Sequence, residues 1–159
     1  MAVDMYLEIP EIKGESQKKG YEEQMDIVSF SDGVLQHTSF GVLGKGGGSG
    51  RAEFQDIHIV KYVDKASSLL WKACANHQHF DKATVHFVKH GETPMEYWTV
   101  LLEDVAIASV QTTGNSNADN PMESVTLGCA KITKTYTEQK ADGGPGSKVE
   151  AEYSIREDA

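Results

Sequence analysis

The sequence is poor in cysteine, proline and basic residues, and it has no long hydrophobic run. Its two cysteines, Cys74 and Cys129, are too few for a disulfide framework and lie in no CxxC pair, so we expect both to be reduced and buried. Fifteen Lys and Arg against 24 Asp and Glu give a net charge of −9, which disfavours nucleic acid and anionic membranes as partners. The first residues have neither a basic segment nor an apolar core, so we expect no signal peptide and a cytoplasmic start.

The length and the turn residues predict one domain over residues 1–159. A chain of 159 residues can bury roughly 68–70% of its unfolded surface, so a core forms without metals or disulfides. Fifteen glycines against four prolines indicate many turns and loops. No internal repeat, heptad or long linker divides the chain.

Alternation of apolar and polar residues with a period of two predicts a mainly β fold. In Gln24–Gly33, Val28 and Phe30 alternate with Ser29 and Ser31. In Glu123–Tyr136 the apolar side changes after Cys129, which predicts either a β-bulge or a strand that changes its covered face. The other predicted strands are Val3–Ile9, Arg51–Val63, Thr84–Lys89, Met95–Val110 and Lys148–Ile155.

One segment follows the helical period instead. Asp64 is a suitable cap, and the residues after it place an apolar stripe on one face of a helix of about three turns, with Trp71 at its edge. The stripe consists of Ala66, Leu69, Leu70, Ala73, Cys74 and His77. Six or more strands and one helix predict a β-barrel or sandwich with a helix packed on it.

The glycine-rich segment Gly41–Gly50 resembles a phosphate-binding loop only superficially. Gly44-Lys45 is followed by Gly46 rather than Ser or Thr, and the GxGxxG fingerprint has Ser49 in place of its third glycine. We interpret the segment as a loop that becomes ordered on a partner.

Histidines form the only pattern that is suggestive of a metal site. His77 and His79 follow the helix that carries Cys74, and His86 and His90 share one strand face. A zinc site needs three or four converging ligands, so we predict that the chain binds no metal and no cofactor. We interpret His77 and His79 instead as the C-terminus of a helix followed by a surface turn.

Catalytic patterns are equally weak. Glu103 and Asp104 are adjacent in a predicted strand and therefore face opposite sides unless a bulge intervenes. No GxSxG motif occurs, and Gly48-Ser49-Gly50 has no strand–turn–helix setting. We predict that the chain is not an enzyme and that it has no catalytic residues.

Ile12-Lys13-Gly14-Glu15-Ser16, Phe54-Gln55-Asp56 and Glu123-Ser124-Val125-Thr126-Leu127 are three segments that follow the pattern of a known family. With the other segments given below, they resemble the haemolysin-coregulated protein (Hcp) family, the tube proteins of type VI secretion systems. The match follows the whole chain in order and spacing. It includes Met1-Ala2-Val3-Asp4-Met5, Ile27-Val28-Ser29-Phe30-Ser31, Lys61-Tyr62-Val63-Asp64-Lys65-Ala66-Ser67, Leu102-Glu103-Asp104-Val105 and Ala141-Asp142-Gly143-Gly144.

The resemblance implies a compact β-barrel of two packed antiparallel sheets with one short helix, similar to phage tail tubes. It also implies homohexameric rings that stack into a tube, are expelled by sheath contraction and carry small effectors in the lumen. The implied partners are other copies of the chain, the spike protein VgrG, the sheath, the baseplate and effector proteins. One departure is Asp32, which stands where the family often has an aromatic residue.

Two sets of residues are our candidates for contacts in such a ring. Ser29, Ser31 and Gly33 form a small polar face that we expect to line the lumen. The second set is an interface or ring-stacking loop, which consists of Gly44, Lys45, Gly46, Gly47, Gly48, Ser49, Gly50 and Arg51. The alternatives that the sequence leaves open are a monomeric secreted ligand-binding or effector β-barrel and a hydrolase with an unrecognised site.

Overall fold

A computed structural model of the chain describes residues 3–37 and 52–155. The described residues form eight strands and one short helix, in agreement with the predicted mainly β fold. The strands are β1 Val3–Glu8, β2 Met25–Ile27, β3 Ser29–Leu35, β4 Glu53–Tyr62, β5 His79–Lys89, β6 Met95–Thr113, β7 Met122–Gln139 and β8 Pro145–Ser154, and the helix is α1 Ser67–Ala75.

All strands belong to one antiparallel sheet rather than to two separate sheets. The order is β2-β1-β5-β6-β7-β4-β3, and β8 pairs with the second half of β7. Phe30 of β3 packs edge-on against Phe87 of β5, with ring centroids 5.2 Å apart, although β3 and β5 are far apart in the strand order. The sheet therefore curls over its own apolar face, and because it is not closed, the term barrel applies only loosely.

The predicted strand Gln24–Gly33 is divided at Val28. The three residues before Val28 pair with β1, whereas the residues after it pair with β4. The backbone N–H of Val28 donates to the carbonyl oxygen of Val60, at 2.8 Å. The two ends of the strand order thus meet on one continuous run of chain, separated by a single residue.

The change of apolar side in β7 coincides with a change of neighbour. Val125 and Leu127 are buried in the first half of β7, and Ile132 is buried in the second half. The first half pairs with β4 and the second half with β8, while the register against β6 shows no shift on β7 at this point. A β-bulge on β7 is therefore not seen at this point, since the register shift in this region lies in β6, between Ile107 and Ser109, and Ile132 belongs to the same core cluster as Val125 and Leu127.

Helix α1 is shorter and less deeply buried than its pattern indicates. Leu70 and Ala73 are buried, whereas Leu69 is 49% exposed and Trp71 is 65% exposed. Asp64 acts in the turn before the helix, where its Oδ1 accepts a hydrogen bond from the backbone N–H of Ala66 at 2.9 Å. None of the described helical segments is long and apolar enough to cross a membrane.

A buried ion pair joins the start of the helix to two strands. The ammonium group of Lys61 lies 2.6 Å from Oε1 of Glu123 and 2.8 Å from Oδ1 of Asp64, and the side chains of Lys61 and Glu123 are almost completely buried. Ser67 Oγ donates to Glu123 Oε1 at 2.8 Å, and Lys61 Nζ also donates to the carbonyl oxygen of Tyr62. Each buried charge therefore has several partners, as a buried ion pair requires.

Replacement of Lys61 by methionine tests this network. The variant Lys61→Met leaves the Glu123 carboxylate buried without its cation, which is expected to lower the free energy of unfolding by about 3–5 kcal/mol. Urea unfolding followed by circular dichroism measures the effect. The double variant Lys61→Met/Glu123→Leu removes both charges and is expected to recover most of the loss.

The matched control is Lys131→Ala, which removes a half-exposed lysine that pairs with Glu103 and Glu152. A solvent-screened pair of this kind stabilises a fold only weakly. If Lys61→Met costs no more than Lys131→Ala, the buried pair does not stabilise the fold in the way described.

Candidate assembly surface

A continuous polar surface crosses four strands on the outer side of the curled sheet. Ser31 on β3 is directly opposite His58 on β4, His58 is opposite Thr126 on β7, and Thr126 is opposite Ser109 on β6. Directly opposed residues of antiparallel strands share one face of the sheet. A second row runs parallel to the first and consists of Ser29, Val60, Ser124 and Gln111. We call these eight positions the serine-rich face.

The serine-rich face has no Asp, Glu, Lys or Arg at any of its eight positions. Its other side belongs to the core, where Phe30, Ile59, Val125 and Leu127 pack. Within the face, Ser109 Oγ donates to Thr126 Oγ1 at 2.8 Å. The alternation of each strand therefore places an apolar surface inside the fold and an uncharged, hydrogen-bonding surface outside it.

The three predicted lumen residues differ in their surroundings. Ser29 and Ser31 are exposed on the serine-rich face. Gly33 follows an irregularity in the pairing of β3 with β4, and it is opposite Gln55. A Cβ atom at Gly33 would lie 2.7 Å from Oε1 of Gln55, so the Gln55 side chain covers this position. The polar face predicted from one strand is thus open at two of its three positions.

The charge of Asp32 lies away from the serine-rich face. Asp32 alternates with Ser31, and its Oδ2 lies 2.5 Å from the ammonium group of Lys134 on β7. With Gly33, Val34, Phe54 and other residues, Asp32 lines a groove of about 320 Å³. The departure from the family pattern at this position therefore changes a groove between β3 and β8 rather than the chemistry beside Ser31.

The predicted interface loop, Gly44–Arg51, lies outside the described residues. Its eight positions stay a prediction. Sequence reasoning also missed most of the serine-rich face, namely Ser109, Gln111, Ser124, Thr126 and His58. The available signal was the small polar residue beside each buried one in Glu123–Leu127, but which strands are neighbours is not visible in the sequence.

The histidines do not come together as ligands. The rings of His77 and His79 are 5.1 Å apart, and His79 Nδ1 lies 3.1 Å from Asp104 Oδ1. His86 and His90 contact different carboxylates, and His90 lies beside Asp4. Within residues 3–37 and 52–155, no group of three or more His, Cys, Asp or Glu is arranged to hold a metal ion.

The adjacent carboxylates also have separate partners. Glu103 pairs with Lys131, and Asp104, which has a positive φ of 54°, pairs with His79. The two groups therefore do not share a site in the manner of a catalytic acid–base pair. The two cysteines are free and half-buried, and burial, partly offset by a backbone hydrogen bond at Lys131, raises the pKa of the Cys129 thiol to about 11.

Two substitutions on opposite faces of the sheet test which face contributes to the stability of the fold. Ser31→Ala removes an exposed hydroxyl and is expected to change the free energy of unfolding by less than about 0.5 kcal/mol. Ile59→Ala, on the neighbouring strand but inside the core, is expected to cost about 2–5 kcal/mol because it leaves a cavity. Denaturant unfolding of the two variants checks both values, and similar costs would contradict the assignment of faces.

Known proteins of similar sequence belong to one family. Residues 6–136 match the family model "Type VI secretion system effector, Hcp". The protein hcp1 of Pseudomonas aeruginosa is 38% identical over 159 residues, which cover 99% of this chain and 98% of that protein.

Solved structures of similar proteins share the fold. A type six secretion system protein superposes with a TM-score of 0.93 at 21% identity, covering 99% of each chain. Hcp1 from Salmonella typhimurium has a TM-score of 0.78 at 23% identity, covering 99% of this chain and 97% of its own. A type VI secretion system effector from Yersinia pestis has a TM-score of 0.76 at 26% identity, covering 96% of this chain and 100% of its own. The chain therefore belongs to the Hcp family of type VI secretion system proteins.

Proposed function

We propose that this chain is a structural subunit of the type VI secretion tube. Six copies form a ring, the rings stack, and the serine-rich face of each subunit lines the central lumen. The observation that carries this proposal is a solvent-facing sheet surface of eight positions without a charged Asp, Glu, Lys or Arg, on a chain with a net charge of −9. A channel wall of this kind leaves room for cargo and does not hold it by ion pairs.

Strand edges and exposed apolar side chains supply surfaces for assembly. Among the described residues, β3 pairs only with β4, and β8 pairs only with β7, so each strand presents an edge that another chain can cover. Large apolar side chains are exposed beside these edges: Val34 is 62% exposed and Val149 is 68% exposed. A head-to-tail contact between different surfaces closes into a ring when its rotation closes.

The charge of a hexamer limits where these contacts lie. Six copies carry 6 × (−9) = −54 charges. Like charges that meet at an interface cost several kcal/mol, so the acidic groups either lie away from the contacts or are paired across them. The serine-rich face, which has no Asp, Glu, Lys or Arg, adds no such repulsion where six copies of it face one another across the proposed lumen.

The tube has a defined place in the secretion machine. We infer that the subunit is cytoplasmic before secretion. Sheath contraction then expels the tube, and the protein leaves the cell as part of that tube. Its partners are then the spike protein VgrG at the tip, the sheath and baseplate around it, and small effectors inside it. In this account the protein is a conduit and carrier rather than an enzyme, and it needs no cofactor.

The mass in solution separates this proposal from a monomeric secreted ligand-binding or effector protein. Six copies of 17.4 kDa give a ring of about 104 kDa. We expect size-exclusion chromatography with light scattering to give this mass at micromolar concentration. A mass of 17.4 kDa at every concentration would favour the monomeric alternative.

A bulky residue on the serine-rich face tests the lumen assignment. Ser31→Trp places six indole rings in the lumen, and we expect the ring mass to stay at that of a hexamer while effector retention falls by about tenfold, equivalent to ~1.4 kcal/mol. Retention is measured as the amount of effector that co-purifies with tagged rings from the producing cells, quantified by mass spectrometry.

The matched control is Ser68→Trp, which places the same side chain on an exposed serine of α1. This variant is expected to retain effector at the wild-type level. Equal retention by Ser31→Trp and wild-type rings would show that Ser31 does not face the cargo.

A further inference from the structure

His86 is held between two carboxylates on the side of the sheet formed by β1, β5 and β6. Its Nε2 lies 3.0 Å from Oε1 of Glu8 on β1, and its Nδ1 is hydrogen-bonded to Oε1 of Glu96 on β6. The His86 side chain is only 16% exposed. We call these three residues the carboxylate clamp.

The chemistry of imidazole defines the charge of this arrangement. A neutral imidazole donates at one ring nitrogen and accepts at the other, whereas an ionised carboxylate only accepts. Two carboxylates at the two ring nitrogens are therefore both satisfied only when His86 carries two protons. The clamp is complete with an imidazolium and loses one of its hydrogen bonds when that proton leaves.

The clamp supports the segment between β1 and β2, residues 9–24. The ring of Tyr21 from this segment lies edge-on to His86, with centroids 5.4 Å apart, and it stacks on Tyr6 at 4.8 Å. Backbone hydrogen bonds join the two ends of the segment. The N–H of Gly14 donates to the carbonyl oxygen of Glu23 at 2.7 Å, and the N–H of Ser16 donates to the carbonyl oxygen of Gln24 at 3.0 Å. A shift of His86 would therefore remove one of the two rings that pack against Tyr21.

The surroundings of the clamp contain few other groups that titrate near neutral pH. Tyr6 is opposite both His86 and Asp26, and its own strand also carries Asp4, which pairs with His90. Burial, Asp4 and Asp26 raise the pKa of Tyr6 to about 12, and burial followed by the charge of Glu96 raises the pKa of Tyr21. Both phenols therefore stay protonated while His86 titrates.

We propose that the carboxylate clamp is a pH-sensitive latch that holds the segment 9–24 against the sheet while His86 is protonated and releases it when His86 loses a proton. The released state is a local opening of this segment rather than unfolding of the sheet. The latch stands on the geometry of these groups and does not depend on the proposed ring, because β1, β5 and the segment 9–24 contribute nothing to the serine-rich face.

The direction of the pH dependence follows from linkage. Burial opposes the charge on His86, but the hydrogen bonds to Glu96 and Glu8 and their negative charges outweigh it and raise the pKa of His86 above its ordinary value. A raised pKa of this kind stabilises the folded arrangement fully below about pH 6.5, and the contribution is lost as the pH rises through the folded-state pKa.

Two exchange measurements on the full chain test the latch. Hydrogen–deuterium exchange at the imidazole Cε1, read by mass spectrometry, gives the pKa of each histidine in the assembled protein. Amide exchange, corrected for the intrinsic rate at each pH, gives the protection of peptides that contain Gly14, Ser16 and Glu23. We expect His86 to titrate above pH 6.5 and the protection of this segment to fall by about tenfold across that titration.

Variants distinguish a latch from a merely structural contact. His86→Gln is expected to show low, pH-independent protection of the segment, whereas the control His90→Gln keeps the wild-type pH dependence. Glu96→Gln, which keeps the imidazole and its contact with Glu8, is expected to lower the pKa of His86 and to shift the loss of protection to lower pH.

Titration of His86 at or below pH 6.5, or wild-type protection that does not change across its titration, would overturn the latch. A ring mass measured on the same samples reports separately on the proposed tube. Loss of protection in wild-type protein that forms no ring would leave the latch intact and contradict the tube.

Discussion

Lys61 and Glu123 face each other inside the protein at the point where β4, β7 and α1 converge. Their charges are removed from water, so each has to be compensated by a close partner, and Asp64, Ser67 and the Tyr62 carbonyl complete the arrangement. This requirement fixes the end of β4 against the start of β7 and sets where the helix begins. The same two strands form the middle of the serine-rich face, so the buried pair also determines how that outer surface is aligned.

The curled sheet separates two chemistries that alternate along each strand. Ile57 and Ile59 point into the core, whereas His58 and Val60 point outward, and β7 repeats this pattern beside them. The core side stabilises the fold, and the outer side carries the serine-rich face that we propose for the lumen. None of the chain's acidic residues stands at the eight positions of the serine-rich face, which suits the proposed lumen wall, since charge at these positions would either repel or immobilise cargo.

The part of the sheet formed by β1, β5 and β6 is different in character. Charged and aromatic groups around His86 hold the long segment 9–24 in place, and this region shares no residue with the serine-rich face. The serine-rich face and the proposed latch at His86 therefore involve different residues of one fold. If His86 releases the segment 9–24 on losing a proton, the strands that carry the serine-rich face stay paired.

Local patterns in the sequence were sufficient to predict where strands form, but not which strands pair with one another. The alternation of Val28 and Phe30 with Ser29 and Ser31 correctly indicated extended chain, yet the division at Val28 depends on a change of partner from β1 to β4. The expected two sheets are one, because the long strands β6 and β7 continue through the curl.

Contacts between residues on different strands explain why the partners of Lys61 and His86 could not be predicted from the sequence. Lys61 reads as an ordinary surface lysine until the fold brings Glu123 beside it, 62 positions along the chain. Glu8 is likewise 78 positions from His86, whereas Glu96 is only 10 positions away and reaches it through the pairing of β5 with β6. Trp71, placed at the edge of an apolar stripe, is instead 65% exposed, since only Leu70 and Ala73 of α1 are buried.

Electron microscopy of the purified protein tests the central claim most directly. The account predicts six-fold rings with an open centre, and a map at side-chain resolution in which Ser29, Ser31 and Thr126 line that opening. A ring in which these residues face the outside or lie within the subunit contacts would contradict the account, as would a field of separate monomers.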